Sequence, residues 1–403
     1  MIKSQHVSND DLLELINGEG ESDKTRTIGN HIHECEQCRN ALDELTAQSA
    51  IWEMAPVLLK DRHVEDSVAN MPGDHERTQD FTPAASKVTD EPVWQYPIDE
   101  LLEPPKHPEM MGRIGKYDIE REVGRGGMGV VLKAHDVELN RPLAIKILAP
   151  HLASHGTARK RFAQEAIAAA GVLHPNVIAV HGVNNEGKTP YIVMPYVAGP
   201  SLQALVEQQG PLSEIEIVRI GLQISSGLAA AHSQGLVHRD IKPANILVEA
   251  DVNRVLITDF GLARAEDDAS LTRTGWLTGT PNYMSPEQTR GERPDQRSDL
   301  FSLGSLVYFL ATGRLPFRSE TPLGVLSRIQ NEDPTPVRQV NNQISSTLAD
   351  VIDMLLAKNP DDRFQSSAEL HEILEKHVAY LHQPDISKPP QVKKTPVAKH
   401  VLA

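Results

Sequence analysis

Five short clusters carry residue types able to act on phosphates. Gly124-Arg125-Gly126-Gly127-Met128-Gly129-Val130 is a glycine run whose missing side chains would let backbone N–H groups approach anionic oxygens. Taken alone, such a run equally marks a dinucleotide fold or an ordinary turn. Leu143-Ala144-Ile145-Lys146 sets an ammonium inside an apolar segment, where it is costly without an acid beside it. Glu165, in the helical run Arg161-Phe162-Ala163-Gln164-Glu165-Ala166, is the natural partner. In His238-Arg239-Asp240-Ile241-Lys242-Pro243-Ala244-Asn245, Asp240 is a candidate base for a hydroxyl proton and Lys242 can neutralise a moving phosphoryl group. Asn245 offers a neutral oxygen, and Asp259 of Asp259-Phe260-Gly261 a carboxylate, to a hard cation such as Mg²⁺.

These groups need a scaffold. Residues 117–123, 129–134 and 143–148 read as three successive strands, and helical patterns dominate further on. The glycine run therefore lies between two strands, not between a strand and a helix, which favours a hairpin covering phosphates. Residues 300–311 form the most apolar run and read as a buried helix, because no segment is long and apolar enough to span a bilayer. The N-terminus lacks the apolar core of a signal peptide, so a cytoplasmic location is expected. A formal charge of −15 argues against a general nucleic-acid binder.

Over residues 117–376 these motifs, in this order and spacing, resemble the eukaryotic-type protein kinase domain, and more closely the bacterial Hanks-type Ser/Thr kinases. The resemblance implies an α+β, bilobal fold: an antiparallel N-lobe with one main helix and a mostly helical C-lobe. It implies ATP and Mg²⁺ (or Mn²⁺) as cofactors and protein hydroxyls as acceptors in bacterial signalling. By the same resemblance, Lys146 and Glu165 pair, and Asp240, Lys242 and Thr280 serve catalysis. Asn245 and Asp259 would hold the metal. ATP would meet residues 124–130, Val131, Ala144, Lys146 at its α- and β-phosphates, Met194 as gatekeeper, and Tyr196 and Val197 in the hinge after Pro195. Met284-Ser285-Pro286-Glu287 stands for the family's Ala-Pro-Glu, Arg363 matches the arginine that pairs with Glu287, and Asp299 opens the helix that anchors the catalytic loop. Thr272 and Thr274 align with the autophosphorylated pair of bacterial kinases. With Arg239 beside Asp240 they suggest control by phosphorylation in trans, through a transient homodimer. The competing reading is a non-catalytic adaptor with a kinase fold.

The chain holds two cysteines, Cys35 and Cys38, in His31-Ile32-His33-Glu34-Cys35-Glu36-Gln37-Cys38. On a helix His31 and Cys35 share a face, and the C-x₂-C turn adds a second thiolate, three of the four ligands that tetrahedral zinc takes. This resembles the zinc-binding anti-sigma-factor domain, whose fourth ligand precedes the first helix. His6 occupies that place where Cys is commoner. A redox pair and an incidental pair of thiols remain alternatives. A sigma factor or another protein is the partner such a module implies.

The 403 residues thus divide into a small helical zinc module at 1–53, an acidic, Pro-rich linker at 54–113, a kinase domain at 114–382 and a flexible tail at 383–403.

Overall fold

The computed structural model describes Cys35 and residues 97–187, 189–249, 253–260 and 281–392, with the side chain of Glu165 excepted. The chain divides into two units, Met1–Ala85 and Ser86–Ala403. Of the first, Cys35 alone is described; it is half-buried and outside regular structure.

The second unit begins with a sheet. Strands β1 (Gly112–Ile114), β2 (Tyr117–Gly126), β3 (Gly129–Asp136), β4 (Arg141–Leu148), β5 (Gly182–Asn184) and β6 (Tyr191–Pro195) are antiparallel in the order β1-β2-β3-β4-β6-β5. Residues of one strand alternate between faces, and β4 uses both. Leu143, Ile145 and Ile147 join an outer cluster with Ile119, Val130, Leu132 and Val193. Ala144 and Leu148 face the other way, against Phe162 and Ala166 of helix α1 (Gly156–Ala170). Lys146 shares the parity of Ala144 and Leu148, so the strand turns its ammonium away from the outer core.

The sequence places a linker up to residue 113, but its last stretch is ordered. Ile98, in the 3-10 turn Ile98–Leu101, is 6% exposed and enters the outer cluster, with Leu101 and Leu102 packed against it. Glu103 and Arg113 exchange both backbone hydrogen bonds at 2.9 Å, and their side chains pair at 2.8 Å. The outer face of the sheet needs an apolar cover, and this strap supplies it.

The C-lobe is helical: α2 (Leu202–Gln209), α3 (Glu214–Ser233), α4 (Gln296–Thr312), α5 (Pro322–Asn331), α6 (Ser346–Leu355) and α7 (Ser367–His382), with a two-stranded ribbon, β7 (Ile246–Glu249) and β8 (Arg254–Ile257). Helix α4, the expected buried helix, is buried from Ser298 to Thr312 and forms the centre of the largest core. α3 and α7 run antiparallel, with Leu374 against Gly221, where a Cβ would stand 3.2 Å from Leu374 Cδ1. Residues 384–392 are described within the expected tail, and Val392 packs on the C-lobe core. Among the described residues no helix is long and apolar enough to cross a membrane.

Candidate active site

The glycine run forms a hairpin in which Gly126 opposes Gly129 across the two-residue turn Gly127-Met128. At Gly129 the backbone lies at φ +154°, and a Cβ would stand 1.8 Å from the Ile147 carbonyl oxygen, so glycine is obligatory. Ala149 N donates to Met128 O at 2.8 Å and ties the turn to the end of β4. Around Gly124 and Gly126 a Cβ would meet nothing within 4 Å, which leaves room for a bulky anion beside the backbone. Arg125 folds back on Glu122, with two side-chain contacts of 2.8 and 3.0 Å.

Below the hairpin, Val131, Ala144, Met194 and Val197 meet in one apolar cluster beside the hinge, a slot fit for a flat heterocycle. Tyr196 presents its hydroxyl to Arg121 Nη2 at 3.1 Å. Val130 departs from its expected place. Strand alternation puts it in the outer cluster at 0% exposure, so its side chain supports the sheet and does not line the slot.

Lys146 Nζ lies 2.7 Å from Asp259 Oδ1. The lysine side chain is 8% exposed and the aspartate 31%, so the carboxylate opens toward the cleft. Burial pushes the Asp259 carboxyl up. The Lys146 ammonium outweighs it by charge and hydrogen bond, with help from Lys242, and holds the group below its ordinary value. Glu165, expected to pair with Lys146, lies in α1 one residue before the buried Ala166; its side chain is outside the described residues.

The loop between α3 and β7 is fixed from three sides. Asp299, in the first turn of α4 and 0% exposed, accepts from His238 N at 2.8 Å, from Arg239 N at 2.7 Å and from His232 Nε2 at 2.8 Å. His238 Nε2 lies 2.9 Å from the Thr258 carbonyl, an acceptor, so Nε2 carries the proton and Nδ1 receives Asp240 N at 3.2 Å. Gln288 Nε2 donates to Arg239 O at 3.0 Å. Arg239 (φ +66°) and Asp259 (φ +60°) hold left-handed backbone that non-glycine residues rarely adopt, and these bonds enforce it at Arg239.

Asp240 Oδ2 lies 2.9 Å from Lys242 Nζ and 3.0 Å from Asn245 Nδ2, which also donates to Asp240 O at 2.8 Å. With Nδ2 so committed, Oδ1 is the Asn245 atom left for a cation. Thr258 N donates to Asn245 O at 2.9 Å, which brings Asn245 beside Asp259. A neutral carbonyl oxygen and a depressed carboxylate are the donors Mg²⁺ prefers, so the residues present fit that ion.

Glu287 and Arg363 form a two-pronged pair at 2.8 and 2.9 Å, and Ser298 Oγ donates to Glu287 at 2.6 Å. Arg363 is 1% exposed and also donates to Ala357 O, Arg297 O and Lys358 O. This pair pins the segment after residue 281 to the helical core and takes no part in chemistry. Thr272, Thr274, Thr280, His6, His31 and Cys38 lie outside the described residues. Among the described residues no group of three or more His, Cys, Asp or Glu is placed to hold a metal. Sequence reasoning did not single out His232 or Thr258, since a helix histidine and a strand threonine carry no distinguishing pattern.

A sheet-built lobe carrying a glycine hairpin and a buried lysine, set over a helical lobe carrying a pinned acidic loop, defines the protein kinase class. The protein kinase domain family matches residues 117–378, and the chain belongs to that family. Among curated relatives it is similar to the serine/threonine-protein kinase PknB of Mycobacterium leprae, 40% identical over 260 residues, which are 63% of this chain and 42% of that one. It is likewise similar to a probable serine/threonine-protein kinase, CA_C1728, of Clostridium acetobutylicum, 36% identical over 263 residues, 65% of this chain and 40% of the relative. The chain thus spans less than half the length of these relatives. Among solved structures, the PknI kinase domain of Mycobacterium tuberculosis matches with a TM-score of 0.53 and 26% identity, over 66% of this chain and 96% of that one. Rad53 residues 1–466 in complex with AMP-PNP match with a TM-score of 0.55 and 29% identity, over 64% of each chain.

Proposed function

We propose that the chain is a serine/threonine protein kinase, transferring the γ-phosphoryl group of ATP to protein hydroxyls. The convergence of Lys146, Asp259, Asn245, Asp240 and Lys242 on one cleft carries this reading. Adenine would enter the slot of Val131, Ala144, Met194 and Val197, and the glycine hairpin would cover the phosphates. The acceptor oxygen attacks the γ-phosphorus, its proton passes to the Asp240 carboxylate, and the bond to the β,γ-bridging oxygen breaks to release ADP. Lys242, 2.9 Å from Asp240, would neutralise the transferring oxygens, and Lys146 would orient the α- and β-phosphates. Magnesium, held by Asn245 Oδ1 and Asp259, would supply charge neutralisation on the β- and γ-phosphates. Incubating the chain with γ-labelled ATP and Mg²⁺ tests the reading. Label should reach protein Ser and Thr, and Lys146→Met should abolish it. An adaptor would give no label with Mg²⁺ or Mn²⁺.

Two finer readings rest on sequence. Thr272 and Thr274 align with the autophosphorylated pair of bacterial kinases, and Arg239 beside Asp240 is a cation able to pair with a phosphate, which supports autophosphorylation in trans as the activating step. Phosphopeptide mapping after ATP treatment should find one or both modified. The His6, His31, Cys35 and Cys38 spacing supports a structural Zn²⁺ in a module that meets a sigma factor or another protein in the cytoplasm. Metal analysis should return one zinc per chain.

A further inference from the structure

Three residues distant in sequence, Ser367, His232 and Asp299, form a hydrogen-bonded line. His232 Nδ1 lies 3.0 Å from Ser367 Oγ, and its Nε2 lies 2.8 Å from Asp299 Oδ2. The types are those of a nucleophilic triad, but the setting forbids that chemistry. Ser367 is 1% exposed, Asp299 0% and the His232 side chain 4%, so no substrate reaches the hydroxyl. The line ends instead on the catalytic loop, because the same Asp299 oxygens accept from His238 N and Arg239 N.

We propose that His232 and Ser367 are positioning residues for phosphoryl transfer, by which helix α7 holds the catalytic loop in its working geometry. The inference rests on the kinase reading above. Both Asp299 oxygens already accept from backbone N–H groups, so the ring contact is donated from Nε2. A neutral ring that donates there accepts at Nδ1, and the Ser367 hydroxyl is the donor that meets it. Ser367 thereby fixes the ring's tautomer and orientation, the ring fixes the carboxylate, and the carboxylate holds Arg239 at φ +66° next to Asp240. When the hydroxyl is lost, the ring and then the carboxylate can turn, Arg239 relaxes, and Asp240 moves from the acceptor's proton.

A mere tie between α3 and α7 makes different demands. The helix cap belongs to the neighbour: Ser366 Oγ accepts from Glu369 N at 3.1 Å. Ser367→Ala therefore leaves the cap intact and places a good helix former in the first turn. Ser366→Ala weakens the same helix without touching the line, and serves as its control.

The test compares full-length wild type, Ser367→Ala, Ser366→Ala, His232→Gln and the double variant Ser367→Ala/His232→Gln. Labelled transfer to myelin basic protein gives kcat and the KM for ATP, thermal melts give Tm, and amide hydrogen exchange follows the peptide containing His238 and Arg239. Ser367→Ala should lower kcat on the order of ten-fold while the KM for ATP holds within about two-fold, as misplacement of a reacting group predicts. Exchange at His238 and Arg239 should accelerate, and the double variant should cost less than the product of the single losses. Ser366→Ala should lower Tm yet keep kcat. Wild-type kcat in Ser367→Ala, an equal kcat loss in Ser366→Ala, or multiplicative losses in the double variant would overturn the proposal. Should the wild type itself transfer no phosphate, the kinase reading fails, and the exchange data alone decide: unaltered exchange in Ser367→Ala removes the line as a positioning device, and faster exchange confined to that peptide upholds it.

Discussion

Asn245 donates its side-chain amide to the carboxylate of Asp240 at 3.0 Å, which locks the proposed metal ligand and the proposed proton acceptor into one unit. The bond orients both groups: it commits the nitrogen of Asn245 inward and fixes one oxygen of Asp240.

Replacing Asn245 should therefore have two signatures. Asn245→Ala removes a cation oxygen and releases Asp240, so the Mg²⁺ concentration for half-maximal rate should rise and kcat should fall about 10²-fold. A Mg²⁺ titration of the rate separates the two. A normal Mg²⁺ requirement would contradict the ligand role.

Lys146→Met should remove transfer while leaving the fold in place. The lysine lies between Ala144 and Leu148 on the helix-side face of β4, where a thioether packs as well as the lysine stem. The loss in rate should be on the order of 10²–10³-fold, with Tm nearly unchanged, since Asp259 keeps a cleft-facing side to solvent. Rate and melting measurements on the same preparation check both parts.

The Glu287–Arg363 pair predicts a specific acid response. Burial raises the Glu287 carboxyl, but the Arg363 guanidinium and the Ser298 hydroxyl bring it down to about 2 from 4.5. A carboxyl with a depressed folded-state value binds fewer protons folded than unfolded. Its contribution, roughly 3 kcal/mol, is full above 4.5 and fades as the pH falls toward 2. Glu287→Gln should lower stability at pH 7, and its gap to wild type should close with acidification. Denaturant titrations at pH 7 and pH 3 measure that gap; a gap that stays constant would refute the assignment.

Two glycines of the same run, Gly126 and Gly129, should separate by experiment. Gly129→Ala drives a Cβ onto the Ile147 carbonyl and should destabilise the N-lobe by about 1–3 kcal/mol or more. Gly126→Ala meets open space, so it should leave Tm in place and raise the KM for ATP instead. Melting curves and ATP titrations of both variants give the comparison.

Much of this site was legible because its chemistry lies in contiguous motifs. Lys146, Asp240, Asn245 and Asp259 each sit in a short string whose neighbours define strand or loop, and the structure brings all four to one cleft. The contact of Lys146 with Asp259 was not legible, since it spans more than a hundred residues and depends on how the lobes meet. The sequence points both Val130 and Val131 at the nucleotide, because a glycine run does not reveal which face of the next strand is the cleft; strand parity leaves Val131 there and turns Val130 away. Ile98, Leu101 and Leu102 were hidden among prolines and acids. Three apolar residues cannot form a core alone, and their partners lie in strands that start only later in the chain.

The strap at residues 98–114 changes where a self-sufficient piece of this protein would have to begin. The family match starts at Tyr117, yet Gly112, Arg113 and Ile114 pair with Ile119, Asp118 and Tyr117. A fragment cut at the family boundary would leave β2 with a bare ladder of donors and acceptors beside an uncovered oily face. Such an edge recruits other chains, so that fragment would be prone to aggregate, while one begun upstream of Ile98 would keep its border sealed.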